Sequence, residues 1–335
     1  MRNTCFEMIH LLAKQDERVI FIGSDLSPGL LGDMQEEMPD RFFMEGISEA
    51  NIIGMAAGLA MDGFIPYVVT IGTFITRRCY EQIAVDLCLH DLPVRLIGIG
   101  GGLNYAPLGP THQSIEDISL MRSLPNMQVF APCDAEEMKR FMPETLKNKS
   151  PIYIRLAKGY DPVISDDSRG FTFGKAITIS EADESENDVL LLSTGIMTQE
   201  SMIIQKALSK ENINTKILHV HTVKPLDSVK ILKEIYQSKL VVTLEEHTLI
   251  GGLGSSVVEL LSDSEKEFCM SQIMRFGLPD KFVEDYGTQE SLLLQHGLDA
   301  DSITKKILHR FKDCLLYTSD AADDLLCVDL GGRRI

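Results

Sequence analysis

Short, almost unbroken apolar runs recur along the first half of this chain, and each leads into a stretch of helical character. Residues 18–23 read Arg-Val-Ile-Phe-Ile-Gly, and 64–72, 93–100, 127–131 and 151–156 repeat the pattern. Helices are expected between them at 5–13, 73–90, 114–121 and 136–147, the second with Cys79, Ile83, Leu87 and His90 on one stripe. Strands apolar on both sides are covered on both faces, and strand–helix alternation delivers them as a parallel sheet. A second series begins near residue 188. Its strands are expected at 189–193, 215–220, 240–245 and 272–276, and its helices at 199–210, 228–236, 254–261 and 302–311. The expected fold class is α/β, with one parallel-sheet domain at 1–160 and a second at 188–312. Between them, 161–187 is polar and acidic (Asp161, Asp166, Asp167, Glu181, Asp183, Glu184, Glu186) and reads as a linker with at most one strand. Residues 27–40, with Pro28, Gly29, Gly32 and Pro39, read as a loop with a short helix.

The end of the chain does not fit this pattern. Residues 313–335 have no clear period, follow a complete terminal helix and resemble a translated adapter read-through, so they are set aside. Their five acids and two arginines leave the rest of the chain at −14 of the formal −17. Such a charge argues against a nucleic-acid partner. No run of 18 uncharged apolar residues suggests a membrane span, and residues 1–14 carry Glu7 and lack a signal-peptide cleavage pattern. The seven cysteines are scattered, with no Cys-x-x-Cys pair. That spacing points away from zinc frameworks and disulfides and toward a reducing, cytoplasmic setting.

The most unusual stretch runs from 45 to 60, Glu-Gly-Ile-Ser-Glu-Ala-Asn-Ile-Ile-Gly-Met-Ala-Ala-Gly-Leu-Ala. Ser48 is a candidate N-cap and Glu49 falls in the first turn, where an acid suits the helix dipole. The helix beyond is apolar or small nearly all round, as buried helices are. Gly54 and Gly58, four apart, would let another backbone approach. Glu49 is then a carboxylate at the mouth of a buried helix, which requires a partner. It is either a helix-start acid beside a tight helix pair or a group poised for proton transfer.

Other clusters are weaker. Gly98-Ile99-Gly100-Gly101-Gly102-Leu103 follows a strand, but the dinucleotide fingerprint fails at Leu103 and no helix opens there. Gly251-Gly252-Leu253-Gly254 precedes a helix and reads as an anion site or as a tight turn packing on Glu245, Glu246 and His247. His219 and His221 share a strand face and make at most two metal ligands with no third in view, so polar-core histidines are favoured. His112, in Gly109-Pro110-Thr111-His112-Gln113, lies on a loop beyond a parallel strand, where open α/β sheets bind ligands.

Taken in order, 46–60, Gly-Phe-Ile-Pro-Tyr (63–67), Thr73-Phe74, 109–113, Leu-Pro-Asn-Met (124–127) and Ile154-Arg155 resemble the C-terminal half of transketolases, a pattern that deoxyxylulose-phosphate synthases share. The resemblance implies a thiamine-diphosphate enzyme, with a pyrimidine-binding domain at 1–160 and the family's C-terminal domain at 188–312. Glu49 then matches the glutamate on N1′ of the aminopyrimidine, where a carboxyl group favours the imino tautomer that removes the C2 proton. The cofactor serves as electron sink for transfer of a two-carbon ketol unit between sugar phosphates. Phe74 matches the aromatic stacked on the pyrimidine, and Tyr80 is a further cofactor contact. His112 matches a substrate-contacting histidine and proton shuttle, and Arg155 an arginine that binds the sugar phosphate.

Two departures from the family pattern stand out. Leu108 replaces an acid common four residues before the histidine, and Gly100-Gly101-Gly102 replaces a histidine near the start of that loop, so donor and acceptor sugars are open. The Gly-Asp-Gly motif that holds Mg²⁺ and the diphosphate is missing, Gly32-Asp33-Met34 being the nearest approach. The resemblance therefore implies the second subunit of a split transketolase. Mg²⁺ would be held mainly by an N-terminal partner subunit, and the pair would dimerise to a heterotetramer. Met1 just ahead of the first helix suits a natural start, and a fragment of a longer enzyme is the alternative. The rivals are the β subunit of a 2-oxoacid dehydrogenase E1 component, a deoxyxylulose-phosphate-synthase-like enzyme, and a non-catalytic binding protein that kept the fold.

Overall fold

Every strand of the first half is apolar at both odd and even positions, and both sets find cover. The computed structural model describes residues 1–24, 28–157, 161–181, 187–266 and 268–324, with 313–324 as backbone only. Asp183, Glu184 and Glu186 of the expected linker and residues 325–335 of the tail lie outside them. The first unit runs α1 (Arg2–Gln15), β1 (Val19–Gly23), α2 (Gly32–Glu37), β2 (Phe42–Met44), α3 (Glu49–Met61), β3 (Ile65–Ile71), α4 (Gly72–Arg77) and α5 (Tyr80–Gln82). It continues through β4 (Arg95–Ile99), α6 (Asp117–Ser123), β5 (Gln128–Phe130), α7 (Ala135–Thr145) and β6 (Ile152–Leu156). The second unit runs β7 (Ile177–Ser180), β8 (Asn187–Ser193), α8 (Met197–Ser209), β9 (Thr215–His219), β10 (Thr222–Lys224), α9 (Ser228–Ile235) and β11 (Ser238–Thr248). It ends with α10 (Leu253–Ser262), β12 (Ile273–Leu278), α11 (Gln289–Gln295) and α12 (Ala300–Asp324).

The first sheet has the order β10-β5-β6-β4-β3-β1-β2, parallel throughout except for β10. Val19 and Phe21 pack on one face with α1 and α7, and Ile20 and Ile22 on the other with α3 and α6. The second sheet has the order β12-β11-β8-β9-β7, parallel except for β7. Two parallel-sheet α/β units thus match the expected fold class, each with one antiparallel edge strand.

The expected linker is packed rather than loose. Asp134, the N-cap of α7, also accepts from the backbone amides of Ile164 and Ser165 at 2.8 and 2.6 Å. Phe171 and Phe173 then lie against Phe130 and Phe141. The helix expected at 73–90 is three pieces: α4, α5 and a π-helical turn, Ile83–Cys88, with His90 exposed beyond it. Helix α12, expected at 302–311, continues to Asp324, into the stretch set aside as a tail.

Candidate active site

The connections that leave β2, β3 and β4 at their C-terminal ends carry Glu49, Phe74 and His112 respectively. That end of a parallel sheet is where loops are free to build a site. Ser48 occupies the N-cap position of α3, but its hydroxyl donates to Glu45 O at 2.9 Å rather than accepting from the helix. Glu49 is 2 % exposed, and its Oε2 accepts from Arg78 Nη1 at 2.5 Å. The same guanidinium lies 4.6 Å over the Phe74 ring, and the His112 ring meets Phe74 edge-on at 5.1 Å. The structure therefore brings three of the expected site residues together, with Arg78, which sequence reasoning missed, bridging Glu49 and Phe74.

A second missed residue, Arg77, holds the loop that bears His112. It pairs with Glu116, and its Nη2 donates to Gln113 O at 3.1 Å. His112 Nδ1 lies 2.9 Å from Thr111 Oγ1. Next to it, Gln113 is buried, and neither of its amide atoms has a partner among the described residues. A buried amide in that state calls for a polar occupant or neighbour. The available signal for both arginines was their place beside Phe74 in an otherwise apolar segment.

Two expected residues are not part of this group. The Tyr80 hydroxyl is 2.8 Å from Ser123 Oγ, on the side of α6. Arg155 does not present itself to a sugar phosphate. It is 6 % exposed, and its donors go to Asp117 Oδ2 at 2.8 Å, Ser114 O at 3.1 Å and Glu246 O at 2.8 Å. Burial and a committed carboxylate make it a brace between the two units, with Tyr153 donating to the same Asp117 oxygen at 2.7 Å.

The glycines of the next loop have a packing reason. Gly102 has φ +72°, and a side chain there would run into the Glu246 carboxylate; one at Gly101 would run into Arg155. Gly251–Gly254 is a tight turn and not an anion site. Glu245 accepts from the amides of Leu253 and Gly254 at 2.7 and 2.9 Å, so the helix N-terminus is occupied internally. Along α3, Gly54 and Gly58 meet no close backbone. With Asn51 and Met61 they form an exposed stripe, so the helix expected to be buried all round is open on one side in the single chain.

A buried acid at a helix mouth, an aromatic face and a nearby histidine suit the aminopyrimidine end of thiamine diphosphate. The other end is not provided for among the described residues. Among the described residues, the compact group of metal-type ligands is Cys133, Glu137 and His219, not the oxygen set that Mg²⁺ and a diphosphate take.

Residues 1–160 match the profile of the transketolase pyrimidine binding domain, and 180–303 that of the transketolase C-terminal domain. The chain is 34% identical over 306 residues to the 6-deoxy-6-sulfo-D-fructose transketolase subunit SqwH of Clostridium sp. (strain MSTE9), covering 91% of this chain and 92% of that one. It is 31% identical over 303 residues to one of the subunits of the apulose-4-phosphate transketolase of Phocaeicola vulgatus, covering 90% and 94%. A solved split gene transketolase, described as an inactive beta4 tetramer, superposes with a TM-score of 0.83 at 31% identity, over 93% of this chain and 98% of that one. The chain belongs to the transketolase family and carries that family's pyrimidine-binding and C-terminal domains.

Proposed function

We propose that this chain is the C-terminal subunit of a two-chain, thiamine-diphosphate-dependent transketolase that moves a two-carbon ketol unit between sugar or sugar-phosphate substrates in the cytoplasm. The observation that carries the reading is Glu49, buried at the mouth of α3 beside Phe74 and His112. When bound, the cofactor supplies a nucleophilic carbon and an electron sink. Glu49 would hold the pyrimidine end through a carboxyl hydrogen bond, which its burial would strengthen. Phe74 would offer its face to the ring, and His112 would move a proton at substrate oxygens. Arg77 keeps the His112 loop in position.

The partner chain supplies Mg²⁺ and the diphosphate grip in this reading, and two such pairs assemble. The open stripe of Asn51, Gly54, Gly58 and Met61 on the Glu49 helix supports an assembly that covers that face. The activities for which the two relatives are named, together with Leu108 and the three-glycine loop, favour a modified ketose as donor. The test is calorimetry of thiamine diphosphate with Mg²⁺, on this chain alone and mixed with an N-terminal-half subunit. Binding only in the mixture, at one cofactor per pair, is expected, followed by a donor screen that includes 6-deoxy-6-sulfofructose and apulose 4-phosphate. Tight binding by the chain alone defeats the split-site reading.

A further inference from the structure

Away from Glu49, a second buried polar cluster joins the two units. Cys133 lies between β5 and α7, Glu137 in the first turn of α7, and His219 at the end of β9. All three are fully buried, and their sulfur, carboxylate oxygen and imidazole nitrogen lie within 4.8 Å of one another. His219 Nε2 is 2.9 Å from Glu137 Oε2, and its Nδ1 is 2.7 Å from Thr198 Oγ1, which accepts from Ser193 at 3.0 Å. Just beyond the strand, His221 is also buried, its ring centroid 5.8 Å from that of His219.

An ion pair between Glu137 and His219 explains only part of this. Glu137 Oε1 and His221 Nε2 have no hydrogen-bond partner among the described residues. A buried polar atom left in that state costs about 1–3 kcal/mol. The Cys133 amide donates to Glu137 Oε2 at 2.8 Å, and this holds its thiol, a soft donor, beside the same carboxylate. Around a tetrahedral ion with Zn–S and Zn–N bonds of about 2.0–2.3 Å, ligand atoms stand roughly 3.5 Å apart. The three donor atoms lie within 4.8 Å of one another, with His219 Nε2 and Glu137 Oε2 at 2.9 Å.

We propose that Cys133, Glu137 and His219 bind a divalent transition-metal ion, zinc by the chemistry of the donors, as a clamp between the two units. A thiolate, an imidazole and a carboxylate form the mixed set that zinc accepts and Mg²⁺ does not. His221 stands outside this group, so a water would complete the fourth position. Binding releases two protons, one from the Cys133 thiol and one from the Glu137–His219 pair. The two negative ligands then cancel the ion's charge, so the buried site is neutral. Thr198 orients the His219 ring from behind, as hydrogen-bonded neighbours of metal-binding imidazoles do. Neither the partner chain nor the cofactor enters the argument, so the fate of this site and that of the proposed activity are separate.

The test is metal analysis of the untagged full chain, purified without chelators from zinc-supplemented medium. One equivalent of zinc per chain is expected. Replacement of zinc by Co²⁺ should give a thiolate-to-cobalt charge-transfer band in the near ultraviolet, which needs no variant. Cys133→Ser should abolish that band, and Thr198→Val should weaken zinc binding about tenfold. Zinc at background level with no cobalt band overturns the proposal, as does an undiminished equivalent of zinc in folded Cys133→Ser.

Discussion

Glu49 shows what burial demands of a single acid. A carboxylate this enclosed must be paired or neutralised. Arg78 does the pairing, and it does so while lying on Phe74. A flat guanidinium that donates to an acid and stacks on an aromatic makes the two contacts proposed for the aminopyrimidine. The two therefore compete for Glu49 and Phe74. Replacing Arg78 by Ala should lower the stability of the free chain by about 1–2 kcal/mol in urea unfolding, because the arginine is itself half exposed and its pairing is screened. The same variant should bind thiamine diphosphate more tightly once reconstituted; weaker binding would make Arg78 a cofactor contact instead. Glu49→Ala should cost about 10²-fold or more in turnover of the reconstituted pair, and unchanged turnover removes the acid from the mechanism. Glu49 was legible because an acid opening an apolar helix breaks the local pattern. The bonds of Arg155 to Asp117, Ser114 and Glu246 were not legible, since a motif position carries the residue type and not the partners its donors find.

At the scale of elements, the break in the helix after Phe74 was hidden from sequence. Cys79, Ile83 and Leu87 recur at α-helical spacing and are all buried. The chain nonetheless spends one extra residue there, as Leu89 N bonding back to Ala84 O at 3.0 Å shows. The first break, at the end of α4, falls at Arg78, the residue that reaches Glu49. Strand β11 supplies the other element-scale device. Glu246 near its end accepts from Leu103 N and Gln289 Nε2, both at 2.8 Å, and so pins the three-glycine loop. Burial pushes its carboxyl up to about 7 from an ordinary 4.5, while Arg155 pulls the other way and Asp117 adds to the rise. The folded chain thus keeps a proton that the unfolded chain gives up near pH 4.5. This contribution to stability is complete below that pH and is lost as the pH rises through about 7. Glu246→Gln keeps the acceptor oxygen and removes the titration. Between pH 5 and 8 the wild type should lose on the order of 1–3 kcal/mol relative to the variant, read from urea unfolding at each pH. Parallel curves would mean that the acid stays ionised. The sequence placed Glu246 in a tight turn's neighbourhood, but only the fold brings it to residues 102–103.

Across the whole molecule, alternation and apolar strands were enough to read two α/β units, because that pattern has few stable solutions. What alternation could not reveal was how the units are joined. Residues 222–224 are too short to announce a strand, yet β10 leaves the second unit and pairs with β5 of the first, Thr222 opposite Phe130. Lys224 adds bonds from its ammonium to Arg122 O at 2.9 Å and to Leu124 O. Phe171 and His221 stack at 4.8 Å within the same seam, and Arg155 reaches Glu246 O across it. An edge strand whose hydrogen bonds and apolar cover come from another unit is a poor edge when left alone. The full chain should therefore unfold in urea as one transition, with coincident fluorescence and circular-dichroism curves. Residues 1–160 produced alone should bare β5 and the Phe130–Phe141 face, and so should aggregate or unfold at a clearly lower midpoint. Two separated transitions in the full chain, with residues 1–160 matching the first in isolation, would show that β10 closes a sheet already stable without it. One shared transition makes the seam part of the folding unit, so that the unit bearing Glu49 and the unit that closes its sheet stand or fall together.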